Sequence, residues 1–231
     1  MKPRALIFDF DDTLVFTNVF YDQLRQVLFE EMDRLGLGFR DQWPPYLNQA
    51  DLDNIAQAGR LVPWAFPRAM RSTGEHFAAL SGVELPQGAA DRFEAIGWSL
   101  FDMPVPVREG AVELLTGLQG RLPLYLLTVG EPEYQQPRID RSGLASYFDE
   151  IRIVREKTPQ VFRNLLAEKG LDPDEVWMVG NSVRSDVNPA LAAGLNVAHL
   201  QVAAWSYDLA DPVAHCHTIH KLLELRELIE L

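Results

Sequence analysis

Residues 5–13 read Ala-Leu-Ile-Phe-Asp-Phe-Asp-Asp-Thr: four apolar residues, then a chain that turns acidic at Asp9, Asp11 and Asp12. An unbroken apolar run of this length, without polar alternation, is the pattern of a parallel strand covered on both faces. Four more runs of the same kind follow, at Leu122–Thr128, Ile151–Val154, Val176–Val179 (ending at Gly180) and Asn196–Leu200. Helical patterns lie between them. Ala111–Leu118 follows the Pro-rich stretch MPVPVREG, Thr158–Glu168 opens with Thr-Pro, and Asn188-Pro189 opens a helix that Gly194 closes. Alternating strand and helix predicts an α/β fold, a Rossmann-like and mainly parallel sheet with helices on both faces.

The first run is separated from the others by a long segment without strand character. Asn18–Leu35 places Phe20, Leu24, Val27, Leu28 and Leu35 near one helical face, and Phe66–Leu80 and Ala89–Phe101 also read as helices. Residues 16–104 are therefore an α-helical insert after the first strand, with Pro104 and Pro106 at its exit, and residues 1–15 and 105–231 form the core. The end of the chain, Thr218–Leu231, reads as an amphipathic helix docked on that core.

The 231 residues carry a net charge of −12 and show no long Lys/Arg block, which argues against a nucleic-acid partner. One cysteine, Cys216, excludes an internal disulfide and fits a cytoplasmic setting. Asp9 interrupts the N-terminal apolar run too early for a secretory signal, and no stretch approaches the ~20 apolar residues of a membrane span. Monomer and dimer are equally compatible with the sequence.

Ligands of open α/β sheets sit at the carboxyl ends of strands, so the residues just past each run matter most. They are Asp9 and Asp11, then Thr128, Lys157 and finally Asn181 to Asp186. On an extended chain Asp9 and Asp11 point the same way. Paired carboxylates repel, and a hard divalent cation such as magnesium relieves the repulsion while keeping waters for a phosphate. Asp186 completes such a site from another strand end. Lys157 supplies positive charge for a phosphate dianion, and Thr128 a hydroxyl donor.

These segments resemble the motifs of the haloacid dehalogenase superfamily in its phosphatase branch. FDFDDTL resembles the first motif, LLTVG the second at Thr128, REKTPQVF the third at Lys157, and VGNSVRSD the fourth, ending at Asp186. Two departures stand out: Thr158 separates Lys157 from the proline that usually follows directly, and Asn181 stands where aspartate is commoner. The insert occupies the place of the superfamily's helical cap. The resemblance implies a magnesium-dependent phosphatase acting on a small phosphorylated metabolite. Asp9 is then the nucleophile and forms an aspartyl-phosphate. Asp11 is the acid and base, and Thr128 and Lys157 bind phosphate. Asp9, the main-chain carbonyl of Asp11, and Asp186 hold the metal, with Asn181 behind them. The cap is expected to close over the site and choose the leaving group.

Other positions carry two readings each. Arg60, Trp64, Arg68 and Arg71 in the cap suit an anionic or aromatic leaving group, or simply a solvated helix face; Tyr21 and Trp43 are weaker candidates for the same role. His215, Cys216, His217 and His220 have the composition of a soft-metal site, with His217 and His220 on one face of the C-terminal helix, or are solvated residues at its start. Competing functions are a phosphate-transferring mutase on the same scaffold and a binding or regulatory protein that keeps the site without turning over. Phosphonate cleavage through a cap lysine is disfavoured, because no lysine lies between Lys2 and Lys157. A metal-free dehalogenase has no need of Asp11.

Overall fold

The computed structural model describes residues 3–202 and 211–229. The chain divides into two compact units, one made of the described residues up to Phe16 and from Val105 onward, the other of Thr17–Pro104.

In the first unit, strands β1 (Ala5–Phe8), β2 (Leu124–Val129), β3 (Glu150–Val154), β4 (Val176–Gly180), β5 (Asn196–Leu200) and β6 (His217–Ile219) form a sheet in the order β3-β2-β1-β4-β5-β6. Every neighbouring pair is parallel. β1 lies in the middle, with Phe8 opposite Leu126 of β2 and Val179 of β4. Side chains alternate across a strand. Leu6 and Phe8 therefore enter one core with Leu124, Leu126, Leu114, Leu115 and Ile139. Ala5 and Ile7 enter the other, with Leu127, Phe162, Leu165 and Met178. That double burial is why the run is apolar throughout. At about 1.5–3 kcal/mol per buried large apolar side chain, it also pins the strand's register.

Helices cover both faces, as the sequence predicts. Among the described residues the α-helices are, in chain order, α1 (Asn18–Arg34), α2 (Trp43–Ala58), α3 (Ala65–Ser81), α4 (Ala89–Trp98), α5 (Ala111–Leu118), α6 (Pro132–Ser142), α7 (Pro159–Lys169), α8 (Asn188–Ala192) and α9 (Leu225–Leu228). α5, α6 and α9 pack into the Leu6/Phe8 core, and α7 and α8 into the Ile7 core.

Several expectations need correction. The predicted C-terminal helix over Thr218–Leu231 is instead strand β6, a 3₁₀ turn at Leu222–Glu224 and the single turn α9; residues 230 and 231 lie outside the described residues. Parallel pairing with β5 outweighs helical spacing here, and His217 and His220 therefore share no helical face. The helix predicted at Asn188-Pro189 is preceded by a π-helical turn, Val183–Val187. The segment Pro132–Ser142, which carries no apolar helical stripe, is a helix, and so is Trp43–Ala58.

The second unit holds α1 to α4. α1 buries Phe20, Leu24, Leu28 and Met32, a spacing of four. Val27, predicted on that face, is 42% exposed because it lies one position off the stripe. α3 packs between α2 and α4, and Gly97 of α4 meets Pro67 of α3 so closely that a Cβ there would sit 2.5 Å from the proline Cα. The predicted helix over Ala89–Phe101 ends at Trp98 and continues as a 3₁₀ turn, Ser99–Asp102.

Candidate active site

Asp9 is the first residue beyond β1, and its amide still donates to Val179 of β4 at 2.9 Å. The chain then folds into a tight loop. The Phe10 carbonyl accepts from Thr13, Leu14 and Val15, and Asp12 takes a left-handed conformation at φ 55°. Aspartate tolerates that region better than most residues. Arg108 fastens the loop from outside, its guanidinium donating to the main-chain oxygens of Asp12 at 2.7 Å and Thr13 at 3.1 Å.

Lys157 lies beyond β3, and its ammonium donates to Asp9 Oδ1 at 2.5 Å and Asp186 Oδ1 at 2.6 Å. All three side chains are buried. Thr158, the residue that parts Lys157 from Pro159, is the N-cap of α7; its hydroxyl accepts from the Val161 amide at 3.3 Å. The extra residue is absorbed by the cap, and Lys157 remains at the strand ends. Asp186 returns to the same place through the π-helical turn, where its Oδ2 accepts from the Ser182 amide at 3.0 Å. Gly180 makes the approach possible, since a Cβ there would lie 2.4 Å from Asp186 Oδ2.

The electrostatics follow from burial. Desolvation, reinforced by the charge of Asp186, raises the Asp9 pKa to about 7 against the lowering effect of Lys157. Burial by itself would lower the Lys157 pKa, but the charges and hydrogen bonds of Asp186 and Asp9 outweigh it, so the ammonium is held above its ordinary value.

Thr13 and Asn181 back this group. The Thr13 hydroxyl lies 2.9 Å from Asp9 Oδ2 and 3.0 Å from Asn181 Oδ1, its one proton shared between two acceptors. Asn181 thus reaches Asp9 through Thr13. Its main-chain oxygen meets His199 Nε2 at 3.0 Å.

Thr128 is buried at the end of β2. Its hydroxyl oxygen accepts from Gln135 Nε2 at 2.9 Å, and the same nitrogen donates to Asp11 Oδ2 at 2.6 Å. Arg138 pairs with Asp11 Oδ1 at 2.7 Å and donates to Gln135 Oε1 at 2.9 Å. Gln135, Arg138 and Arg108 lie outside the four motif segments. For the first two the available signal was slight: an amide and a guanidinium one helical turn apart, on a helix that opens just after Thr128.

The candidates in the second unit fall into distinct settings. The Arg68 guanidinium lies 4.2 Å from the Trp64 ring centroid. Arg60 contacts the main chain of Leu61 at 3.5 Å. Arg71 pairs with Glu75, Asp91 and Glu94, tying α3 to α4. Tyr21 packs on Phe66 with ring centroids 4.7 Å apart, and Trp43 is a core residue whose indole donates to Gly38 at 2.8 Å. At the C-terminus, His217 packs against Trp177 and His215.

Among the described residues, no group of three or more His, Cys, Asp or Glu side chains is gathered to hold a metal ion. The strand ends offer two carboxylates, Asp9 and Asp186. Magnesium sites that keep their waters for a phosphate use one or two carboxylates, all with hard oxygen donors, so this donor set fits that ion.

A parallel sheet that gathers two aspartates and a lysine at its carboxyl edge is the framework of one hydrolase class, and the chain belongs to it: the haloacid dehalogenase-like hydrolase family, matched over residues 3–194. Among its relatives, the pyrimidine 5'-nucleotidase YjjG of Escherichia coli (strain K12) is 27% identical, over 99% of each chain. The glyceraldehyde 3-phosphate phosphatase of Pyrococcus furiosus is 24% identical, over 99% of this chain and 94% of that one. A haloacid dehalogenase-like family hydrolase from Xanthomonas campestris has the same fold, with a TM-score of 0.76 at 24% identity, covering 99% of this chain and 97% of the other.

Proposed function

We propose that this protein is a magnesium-dependent phosphatase that hydrolyses a small phosphorylated metabolite through an aspartyl-phosphate on Asp9. The observation that carries the reading is the convergence of Asp9, Lys157 and Asp186, from three strand ends, on one ammonium nitrogen. The two relatives named above, a pyrimidine 5'-nucleotidase and a glyceraldehyde 3-phosphate phosphatase, support a phosphorylated substrate. A cytoplasmic setting suits both that substrate class and the lone cysteine.

In the first step a carboxylate oxygen of Asp9 bonds to phosphorus as the ester oxygen departs, and Asp11 gives that oxygen its proton. In the second, water attacks phosphorus, Asp11 takes the water's proton, and the bond to Asp9 breaks to leave inorganic phosphate. Lys157 offsets the charge of the incoming dianion beside Asp9. Thr128 accepts from Gln135, which leaves its own proton to donate, and a phosphate oxygen would accept it. Asp9, Asp186 and the main-chain carbonyl of Asp11 would hold magnesium, which when bound supplies positive charge to the phosphoryl oxygens.

The test is phosphate release from a panel of phosphorylated metabolites, with magnesium and with chelator, beside Asp9→Asn. Release that requires magnesium and vanishes in the variant is expected. A panel without turnover, or turnover that survives Asp9→Asn, would overturn the reading.

A further inference from the structure

Arg138 and Gln135 are costly residues to bury, and both are buried, at 9% and 4% exposure. A guanidinium withdrawn from water needs a partner of opposite charge and good geometry. Here that partner is Asp11, whose two carboxylate oxygens are taken by two different side chains: Oδ1 by Arg138 at 2.7 Å and Oδ2 by Gln135 at 2.6 Å. Gln135 also joins Thr128 at 2.9 Å and accepts from Arg138 at 2.9 Å. The amide has one possible orientation in this network. Turned over, it would set its oxygen against a carboxylate and its N–H groups against a guanidinium.

The surroundings are shaped for this arrangement. A Cβ on Gly130 would lie 3.2 Å from Gln135 Cβ, so the glycine lets the glutamine lie close over the end of β2. The Arg138 guanidinium carbon lies 5.8 Å from the Phe10 ring, which borders it beside Asp11. Both residues come from one face of α6, a helix whose Ile139 is anchored in the core.

We propose that Gln135 and Arg138 are positioning residues that hold the Asp11 carboxylate at the phosphate-binding hydroxyl of Thr128, so that the proton donor and the phosphate anchor are set as one unit. This rests on the phosphatase reading above. Each oxygen held this way keeps a second lone-pair position, so Asp11 can take up a proton there and present it to the leaving-group oxygen without a search among rotamers. Esters that depart as poor leaving groups depend on that proton, whereas good leaving groups need it little.

The experiment compares p-nitrophenyl phosphate with phenyl phosphate, which share a ring and differ in leaving group, with magnesium present. Gln135→Ala and Arg138→Met are expected to lower kcat on phenyl phosphate about tenfold or more beyond their effect on p-nitrophenyl phosphate, with KM changing less than kcat. If either truncation fails to fold, Gln135→Met keeps the length and the bulk, removes the hydrogen bonds to Asp11 and Thr128 without adding charge, and is expected to give the same selective loss. Equal losses on both esters, or no loss, in variants of an active parent would overturn the positioning role alone. A parent that hydrolyses neither ester nor any metabolite of the panel would overturn the phosphatase reading and the positioning role with it.

Discussion

The Lys157 ammonium and Asp9 Oδ1 stand 2.5 Å apart, although 148 positions separate the two residues in sequence. The same ammonium neutralises Asp186. Removing the ammonium leaves two buried carboxyl groups facing each other without their counter-charge, so that one must take up a proton or stay charged and unsolvated. Lys157→Met is therefore expected to destabilise the metal-free protein by about 3–5 kcal/mol at neutral pH, measured by urea unfolding. Added magnesium should raise the variant's Tm by more than the parent's. An unchanged midpoint would refute the prediction.

Gly180→Ala tests the approach of Asp186. The added Cβ would lie 2.4 Å from Asp186 Oδ2, well inside contact distance, and the neighbours on that side are buried. Relief requires moving the carboxylate or the backbone, at a cost of roughly 1–3 kcal/mol. The expected result is a lower Tm together with weaker magnesium binding by calorimetry. Wild-type values of both would show that the turn yields freely.

In the helical unit Thr17–Pro104, burial raises the Asp51 pKa to about 6, with Arg25 acting in the opposite direction. Its Oδ1 has no hydrogen-bond partner among the described residues. A carboxyl whose folded pKa exceeds its unfolded value binds more protons when folded, so the contribution of Asp51 to stability is greatest in acid, falls between about pH 4 and 6, and is level above that. Asp51→Asn should remove this dependence and stabilise the protein by up to about 3 kcal/mol at neutral pH, with little gain near pH 4. Thermal unfolding of both proteins across that range checks it; a constant difference would exclude Asp51 as the cause.

Arg108 holds the Asp9–Thr13 loop by two main-chain oxygens. Arg108→Leu leaves both acceptors without that donor and should cost about 1–3 kcal/mol. It should also reduce phosphate release, because Asp9 and Asp11 sit on that loop. Retained stability with lost activity would point to a more direct role for the guanidinium.

The parts of the fold that the sequence discloses are those where one local signal dominates. β1 is legible to the residue because both its faces are buried, and Thr158-Pro159 marks α7 because capping chemistry is local. Asp9, Thr128, Lys157 and Asp186 are legible because each follows or ends an apolar run, where sheet topology gathers them. α6 is hidden by its composition: PEYQQPRIDRS is polar, carries Pro137 inside the helix and buries little apolar surface besides Ile139. Gln135 and Arg138 are hidden with it, since their meaning lies in contacts with Asp11 across the strand ends. β6 is three residues long, and its place beside β5 is set by long-range pairing that no local periodicity announces.

The Asp9 amide, tied to Val179 at the meeting of the two central strands, has a kinetic consequence. It has no private route to solvent, because breaking that bond means parting β1 from β4. In deuterium oxide its exchange should follow unfolding of the whole sheet, slower than that of amides in the exposed turns. Asp9 would then be held in place for as long as the core itself lasts, and proteolytic nicks elsewhere on the surface should leave it there until the sheet gives way.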